Sequence, residues 1–345
     1  MTTETSYALP AIPYLRLRFH LRAEHACTLP GYKGSLLRGA FGHALRRTVC
    51  VQGPKHPCET CMLRSQCVYT RLFEPYIEGE PPRFLRGLNT APRPYVFEPV
   101  DRSAHYQPGD ILTFDLLLFG TAVELMPYTV FAVSSMAEAG LGRQRHRFFL
   151  QQAFWQEGTA EAPAVTEADS EQSGQEARWH PLYDGHAKKL TGTPQAQQIA
   201  PAETGSSAYS LENGCTLRFI TSTRLKFRDT LTKDFTFRML VFKMLRRVLE
   251  LAHFHVPEAQ INWEFHDLLV AADDVRITAN NLEWNDWVRR SNRQNTSMKM
   301  GGFTGDLTLE GNLTPFIHLL RICEVVHVGK GTVFGNGKVG VIKIG

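Results

Sequence analysis

Four cysteines lie within 18 residues, at Cys50, Cys58, Cys61 and Cys67. Cys58 and Cys61 form a C-x-x-C pair, with one cysteine on either side. Thiolates at this density in a turn-forming stretch are the ligand set of a tetrahedral zinc site. An iron–sulfur cluster is the second reading, although its usual spacings are not matched. Four free, partly buried thiols are the reading without metal. His56 lies inside the segment as a minor alternative ligand. The set leaves no open coordination position, so its expected role is a structural brace, with zinc the favoured ion. Directly before it, Gly31 to Cys58 carries Lys33, Arg38, Arg46, Arg47 and Lys55 and no Asp or Glu, a run that suits a polyanion. A third stretch closes the chain: Gly329, Gly331, Gly335, Gly337 and Gly340, with Lys330 and Lys338 among them. It is no dinucleotide fingerprint, because no helix follows it. It is no P-loop either, because Lys330 is followed by glycine and Glu324 stands where the first glycine belongs. Backbone amides bared by such glycines can cradle phosphates. A plain glycine-rich hairpin is the alternative.

The elements that position these residues are legible in outline. Residues 13–24 alternate Leu15, Leu17 and Phe19 with Arg16, Arg18 and His20, a half-buried strand with a basic outer face. Ser35 is the expected N-cap of a helix over 36–49. Its apolar stripe is Leu37, Ala40, Phe41, Ala44 and Leu45, and its other side holds Arg38, Gly39, Gly42, His43 and Arg46. Glycine on an exposed helix face costs about 1 kcal/mol against alanine. Close approach of another backbone, a phosphodiester or a protein segment, is the reason to keep it. Residues 110–119 read as a buried strand, 128–140 as a helix, and 141–155 as a glycine turn with Arg143, Arg145 and Arg147 leading into a strand. The second half repeats this outline. A strand spans 215–227, an amphipathic helix 235–253 and a hairpin region 298–309, centred on Gly301 and Gly302. A helix beginning at Thr314 and a last strand complete it. This order predicts an α+β chain of two tandem ferredoxin-like domains, 1–155 with the four-cysteine insertion at 50–67, and 209–345 with the glycine-rich loop. Between them 156–208 reads as a flexible, polar insertion or linker.

Composition agrees. The net charge is +4, and residues 156–178 alone hold six acids and one base, so the remainder is the more basic, which favours a nucleic-acid partner. No apolar stretch is long enough to span a membrane. The first residues carry no charged start or long apolar run, so no secretory signal and a reducing, cytoplasmic setting are expected.

GYKGSLLRGAFGHALRR (31–47), GLGRQRHRF (140–148) and GKGTVFGNGKVG (329–340) together resemble the CRISPR precursor-RNA processing endoribonucleases of the repeat-associated mysterious protein (RAMP) superfamily. The resemblance implies two ferredoxin-like domains and cleavage of CRISPR repeat RNA without a catalytic metal. In that chemistry the 2′-hydroxyl attacks the adjacent phosphate, leaving a 2′,3′-cyclic phosphate and a 5′-hydroxyl. It needs a base, an acid and a cation, and histidine titrates in the range to serve as either of the first two. By position His43 is the implied acid or base, with Tyr32, Lys33 and Arg46 beside it; His20, His25 and His146 are held in reserve. Arg38, Arg47, Arg143, Arg145, Arg147, Gly329, Lys330, Gly331, Gly335, Gly337 and Lys338 are the implied RNA contacts. The partner expected is CRISPR repeat RNA or its processed crRNA, with other effector-complex subunits possible. Two alternatives stand: a non-catalytic RNA-binding subunit of such a complex, and a metal-containing nucleic-acid-binding regulator that reads its target with the cysteine segment.

Overall fold

Arg16 and Arg18 tie the first sheet together through acidic partners on its other strands. The computed structural model describes residues 9–158, 178–198 and 213–343, apart from positions 54, 287, 292–295 and 300. β1 (Tyr14–Ala23) buries Leu15, Leu17, Phe19 and Leu21 completely. A two-residue β2 (Cys27–Thr28), α1 (Gly34–Val49) and the short α2 (Val68–Leu72) follow. Then come β3 (Tyr95–Pro99), β4 (His105–Tyr106), β5 (Ile111–Phe119), α3 (Met126–Ala139) and β6 (Phe148–Glu157). The main strands order as β3-β5-β1-β6, with β1 antiparallel to both neighbours. α1 and α3 cover one face, and Leu37, Phe41 and Leu45 share a core with Phe19, Phe114 and Met136. The arginines of β1 are not free on the other face. Arg18 Nε donates to Asp115 of β5 at 2.7 Å, and Arg16 Nη1 donates to Glu98 of β3 at 2.6 Å.

The second half builds the same pattern. It comprises β9 (Cys215–Thr223), β10 (Leu225–Phe227), β11 (Thr230–Thr232), α4 (Phe237–His255) and α5 (His266–Ala271). Then follow β12 (Arg276–Asn285), a ribbon of β13 (Val288–Ser291) and β14 (Thr296–Lys299), β15 (Gly302–Glu310), α6 (Ile317–Val326) and β16 (Val339–Lys343). Its sheet order is β12-β15-β9-β16. Each half is thus a βαββαβ unit with the same strand order, and the chain is a tandem of ferredoxin-like folds. The second core also takes Tyr14, Val96, Leu117 and Phe119 from the first sheet.

Three expectations change. Ser35 is not the cap of α1: the helix begins at Gly34, Lys33 takes the capping position, and no side chain caps it. The region 298–309 is no hairpin about Gly301 and Gly302, since β15 pairs with β12, whose RITANNLEWN lacks the alternation that marks a strand. The stretch read as a linker contains β7 (Arg178–Asp184) and β8 (Lys189–Leu190), which extend the first sheet beyond β6. Most of the acidic run, 159–177, lies outside the described residues.

Candidate active site

The glycine-rich stretch is a loop folded onto itself and onto the first unit. α6 ends at Val326, whose carbonyl oxygen accepts from Arg247 Nε at 3.2 Å and Nη2 at 3.1 Å. Beyond it the Val328 amide donates to Gly337 O at 2.9 Å, Lys330 to Arg224 O at 3.0 Å and Gly337 to Ser222 O at 3.1 Å. The Lys338 amide donates to Thr221 Oγ1 at 2.9 Å. These amides point inward, so the expectation of an open phosphate cradle is corrected for Lys330, Gly337 and Lys338. The glycines serve close approach instead: Gly335, at φ +84°, has no room for a Cβ against the Phe97 carbonyl. Gly335 and Gly337 are buried, Gly329 and Gly331 half-buried, and Lys330 is exposed.

The loop tip seats on the start of α1. Tyr32 Oη donates to Phe334 O at 2.5 Å, and Gly34 passes so close beneath that carbonyl that a Cβ would collide with it. Burial, reinforced by the Glu98 carboxylate, pushes the Tyr32 phenol pKa far up. It is a donor to the loop and a poor acid for chemistry. Lys33 is fully buried, its Nζ donating to Ser103 O at 2.6 Å and Asp101 O at 3.1 Å. Arg38 lies 3.9 Å over the Phe73 ring and 5.9 Å from that of Phe334. Arg46 donates to His56 O at 2.5 Å and stands 5.4 Å from the Tyr69 ring. Tyr32 and Lys33 spend their polar atoms on the protein itself, whereas half-buried Arg46 gives one Nη to His56 O.

His43 is left exposed on α1, and Gly39 lies one turn before it on the same strip. Nothing lies within 4 Å of where a Gly39 Cβ would stand. Gly42 differs, because the Phe73 ring fills its side. Of the two glycines, one packs against protein and one faces open space. Arg47, one turn beyond His43, is exposed and reaches Ser135 O at 3.4 Å. Arg143, Arg145 and Arg147 are exposed on the turn between α3 and β6, with Arg147 3.5 Å from Glu24. The glycines also give opposite expected stabilities. Gly34→Ala lowers stability by about 1–3 kcal/mol through overpacking against the loop, whereas Gly39→Ala raises it by up to about 1 kcal/mol through helix propensity. Urea unfolding of the two variants reads both signs, and a stable Gly34→Ala variant would contradict the docking of the loop on α1.

The cysteine segment does not gather as expected. Cys50, Cys58, Cys61 and Cys67 are half-buried free thiols. Among the described residues no group of three or more His, Cys, Asp or Glu could hold a metal ion. The Arg46 guanidinium lies among them, interacting with Cys50 and Cys58, so a cation already occupies the neighbourhood. Burial pushes the Cys58 thiol pKa up, with Arg46 opposing. The arrangement fits neither zinc nor an iron–sulfur cluster.

A buried charge cluster missed in the sequence joins the halves. Glu98, 6% exposed, takes Arg16 Nη1 at 2.6 Å and Lys338 Nζ at 2.9 Å on Oε2, and His327 Nε2 at 2.7 Å on Oε1. His327 is fully buried, and its Nδ1 donates to Asn336 O at 3.0 Å. Burial alone would raise the Glu98 pKa; Arg16, Lys338 and His327 outweigh it and hold the carboxyl well below its ordinary value. Burial pushes the imidazole pKa down, with the bond from Glu98 opposing. Lys338, expected on RNA, is thus paired inside the protein. The available signal was an acid in each of two apolar strands, YVFEP and ILTFDLLLF, opposite the arginines of β1.

The model of one family, described as an N-terminal domain, matches residues 11–178, and that of the CRISPR-associated endoribonuclease Cas6 matches residues 217–339. The Cas6 match is thus to the second unit. It runs from β9 to β16 and contains α6 and the whole glycine-rich loop up to Val339. A product complex of Thermus thermophilus Cas6 superposes with a TM-score of 0.51 at 16% identity, covering 96% of this chain and 99% of that one. At that identity the likeness is one of fold. Another structure of Thermus thermophilus Cas6 gives a TM-score of 0.48 at 15% identity, covering 96% of this chain and 99% of that one. An uncharacterized protein of Archaeoglobus fulgidus is 28% identical over 127 residues, 37% of this chain, and the match spans 40% of that relative's length. Among the described residues no helix is long and apolar enough to cross a membrane.

Proposed function

We propose that the chain is an endoribonuclease that cleaves precursor crRNA within CRISPR repeats. One observation carries the reading: the loop of the unit that matches Cas6 is seated on the N-terminus of a helix that presents an exposed histidine beside an open glycine. His43 lies nine residues, about 13 Å of helix, beyond Gly34 and the loop tip. Gly39 lets a phosphodiester backbone come close to the helix at that point. His43 then takes the proton of the attacking 2′-hydroxyl or returns one to the leaving 5′-oxygen. Arg47 and Lys330 supply positive charge for the phosphate, and Arg143, Arg145 and Arg147 extend the path of the strand. The products are a 2′,3′-cyclic phosphate and a 5′-hydroxyl, and no metal takes part. Incubating the protein with its neighbouring repeat RNA in EDTA, and analysing both product ends, tests this directly. Loss of cleavage in EDTA, or 3′-hydroxyl products, would count against it.

The covered Tyr32 and Lys33 favour a second reading, an RNA-binding subunit of an effector complex without activity of its own. Tight repeat binding with no cleavage under any condition would select it.

A further inference from the structure

His327 stands where a glycine would be at ease. Its backbone, φ +60° and ψ 163°, lies in a region that is essentially glycine-only. A side chain there is strained. Every other residue between 327 and 338 with positive φ is a glycine. The strain falls at the first residue after α6, where Arg247 fixes the helix end. A histidine kept there has work for its ring, and the ring is fully used. Nδ1 crosses the neck of the loop to Asn336 O, and Nε2 crosses to Glu98 on the first sheet. Each ring nitrogen thus has a partner of its own. Lys338, on the far flank of the loop, reaches the same carboxylate. The two feet of the loop therefore stand on one side chain of the other unit, and that side chain is anchored in turn by Arg16.

We propose that His327 and Lys338, meeting on Glu98, form a clamp that positions the glycine-rich loop against α1 for the reaction. The residues are positioning residues. None touches RNA through this contact; they fix how far the loop tip, Lys330 and the start of α1 stand from one another. The role in cleavage rests on the function proposed above.

The test uses the full chain with His327→Gly, which relieves the backbone strain and removes the clamp, together with Lys338→Gln and Lys338→Arg. Hydrogen exchange of the Val328, Lys330 and Gly337 amides is compared with that of the β1 and β5 amides. The clamp requires loop exchange about tenfold faster or more in His327→Gly and Lys338→Gln, with the β1 and β5 amides unchanged. Lys338→Arg keeps a cation on Glu98 and retains protection. Uniformly faster exchange everywhere, or no change in the loop, would overturn the clamp. In single-turnover cleavage at saturating repeat RNA the same two variants fall about tenfold or more, with Kd moving less than about threefold. A full cleavage rate with a loosened loop would overturn the positioning role. If the unaltered chain binds repeat RNA without cutting it, the proposed function fails, and the exchange measurements still decide the clamp.

Discussion

His43→Ala is expected to slow cleavage of the repeat RNA at least about a hundredfold, with Kd for the RNA within about threefold of the unaltered protein. Proton transfer from a positioned side chain contributes roughly 10²–10⁴-fold to such reactions. Of His43, Tyr32 and Lys33, His43 is the one that the structure leaves exposed. Tyr32 donates to Phe334 O, and Lys33 to Ser103 O and Asp101 O. The imidazole is exposed, so its removal leaves no cavity and no orphaned partner, and thermal stability should hold. Single-turnover rates at saturating RNA separate this from a binding defect. Equal rates for the two proteins would move the chemistry to another residue while leaving the Cas6 match in place.

Glu98→Ala is expected to cost about 3–5 kcal/mol of stability, since removing one partner of a buried ion pair strands the other. Here two cations, Arg16 and Lys338, lose their anion at once, and the His327 ring loses its partner on Oε1. Urea unfolding measures the loss, and a cost under about 1 kcal/mol would mean that water or Asp115 takes over. The pH dependence has a definite sign. The folded-state pKa of Glu98 lies below its unfolded value, so the carboxylate stabilises the fold above the ordinary carboxyl range. That stability is lost as the pH falls through the folded-state value. Between pH about 5 and about 3 the thermal midpoint of the unaltered protein should drop more steeply than that of Glu98→Ala.

The helices of both units could be read from periodicity, because they carry clean stripes. Leu37, Phe41 and Leu45 in α1, and Leu240, Met244 and Val248 in α4, are all buried as their spacing required. β12 could not be read so, because its outward residues face solvent and its few apolar ones do not alternate. The exposure of His43 was legible from its place off the apolar stripe of α1. The fates of Tyr32 and Lys33 were not, since each is decided by carbonyls far away in sequence, at Phe334, Asp101 and Ser103. The terminal glycines were visible, but their meaning reversed: a glycine that bares an amide and one that makes room for a carbonyl look the same in a sequence. The basic outer face of β1 misled for a related reason. Charge count says nothing of pairing, and Arg16 and Arg18 find Glu98 and Asp115 only once three strands lie side by side.

Four apolar side chains of the first sheet complete the core of the second unit. A carboxylate of the first sheet also holds both feet of the second unit's loop. The start of the Cas6 match at residue 217 is therefore not expected to be a boundary of cooperativity. Cut there, the second unit would lose Tyr14, Val96, Leu117 and Phe119 from its core, and its strained histidine would lose Glu98. The tandem behaves as one folding unit wearing the outline of two.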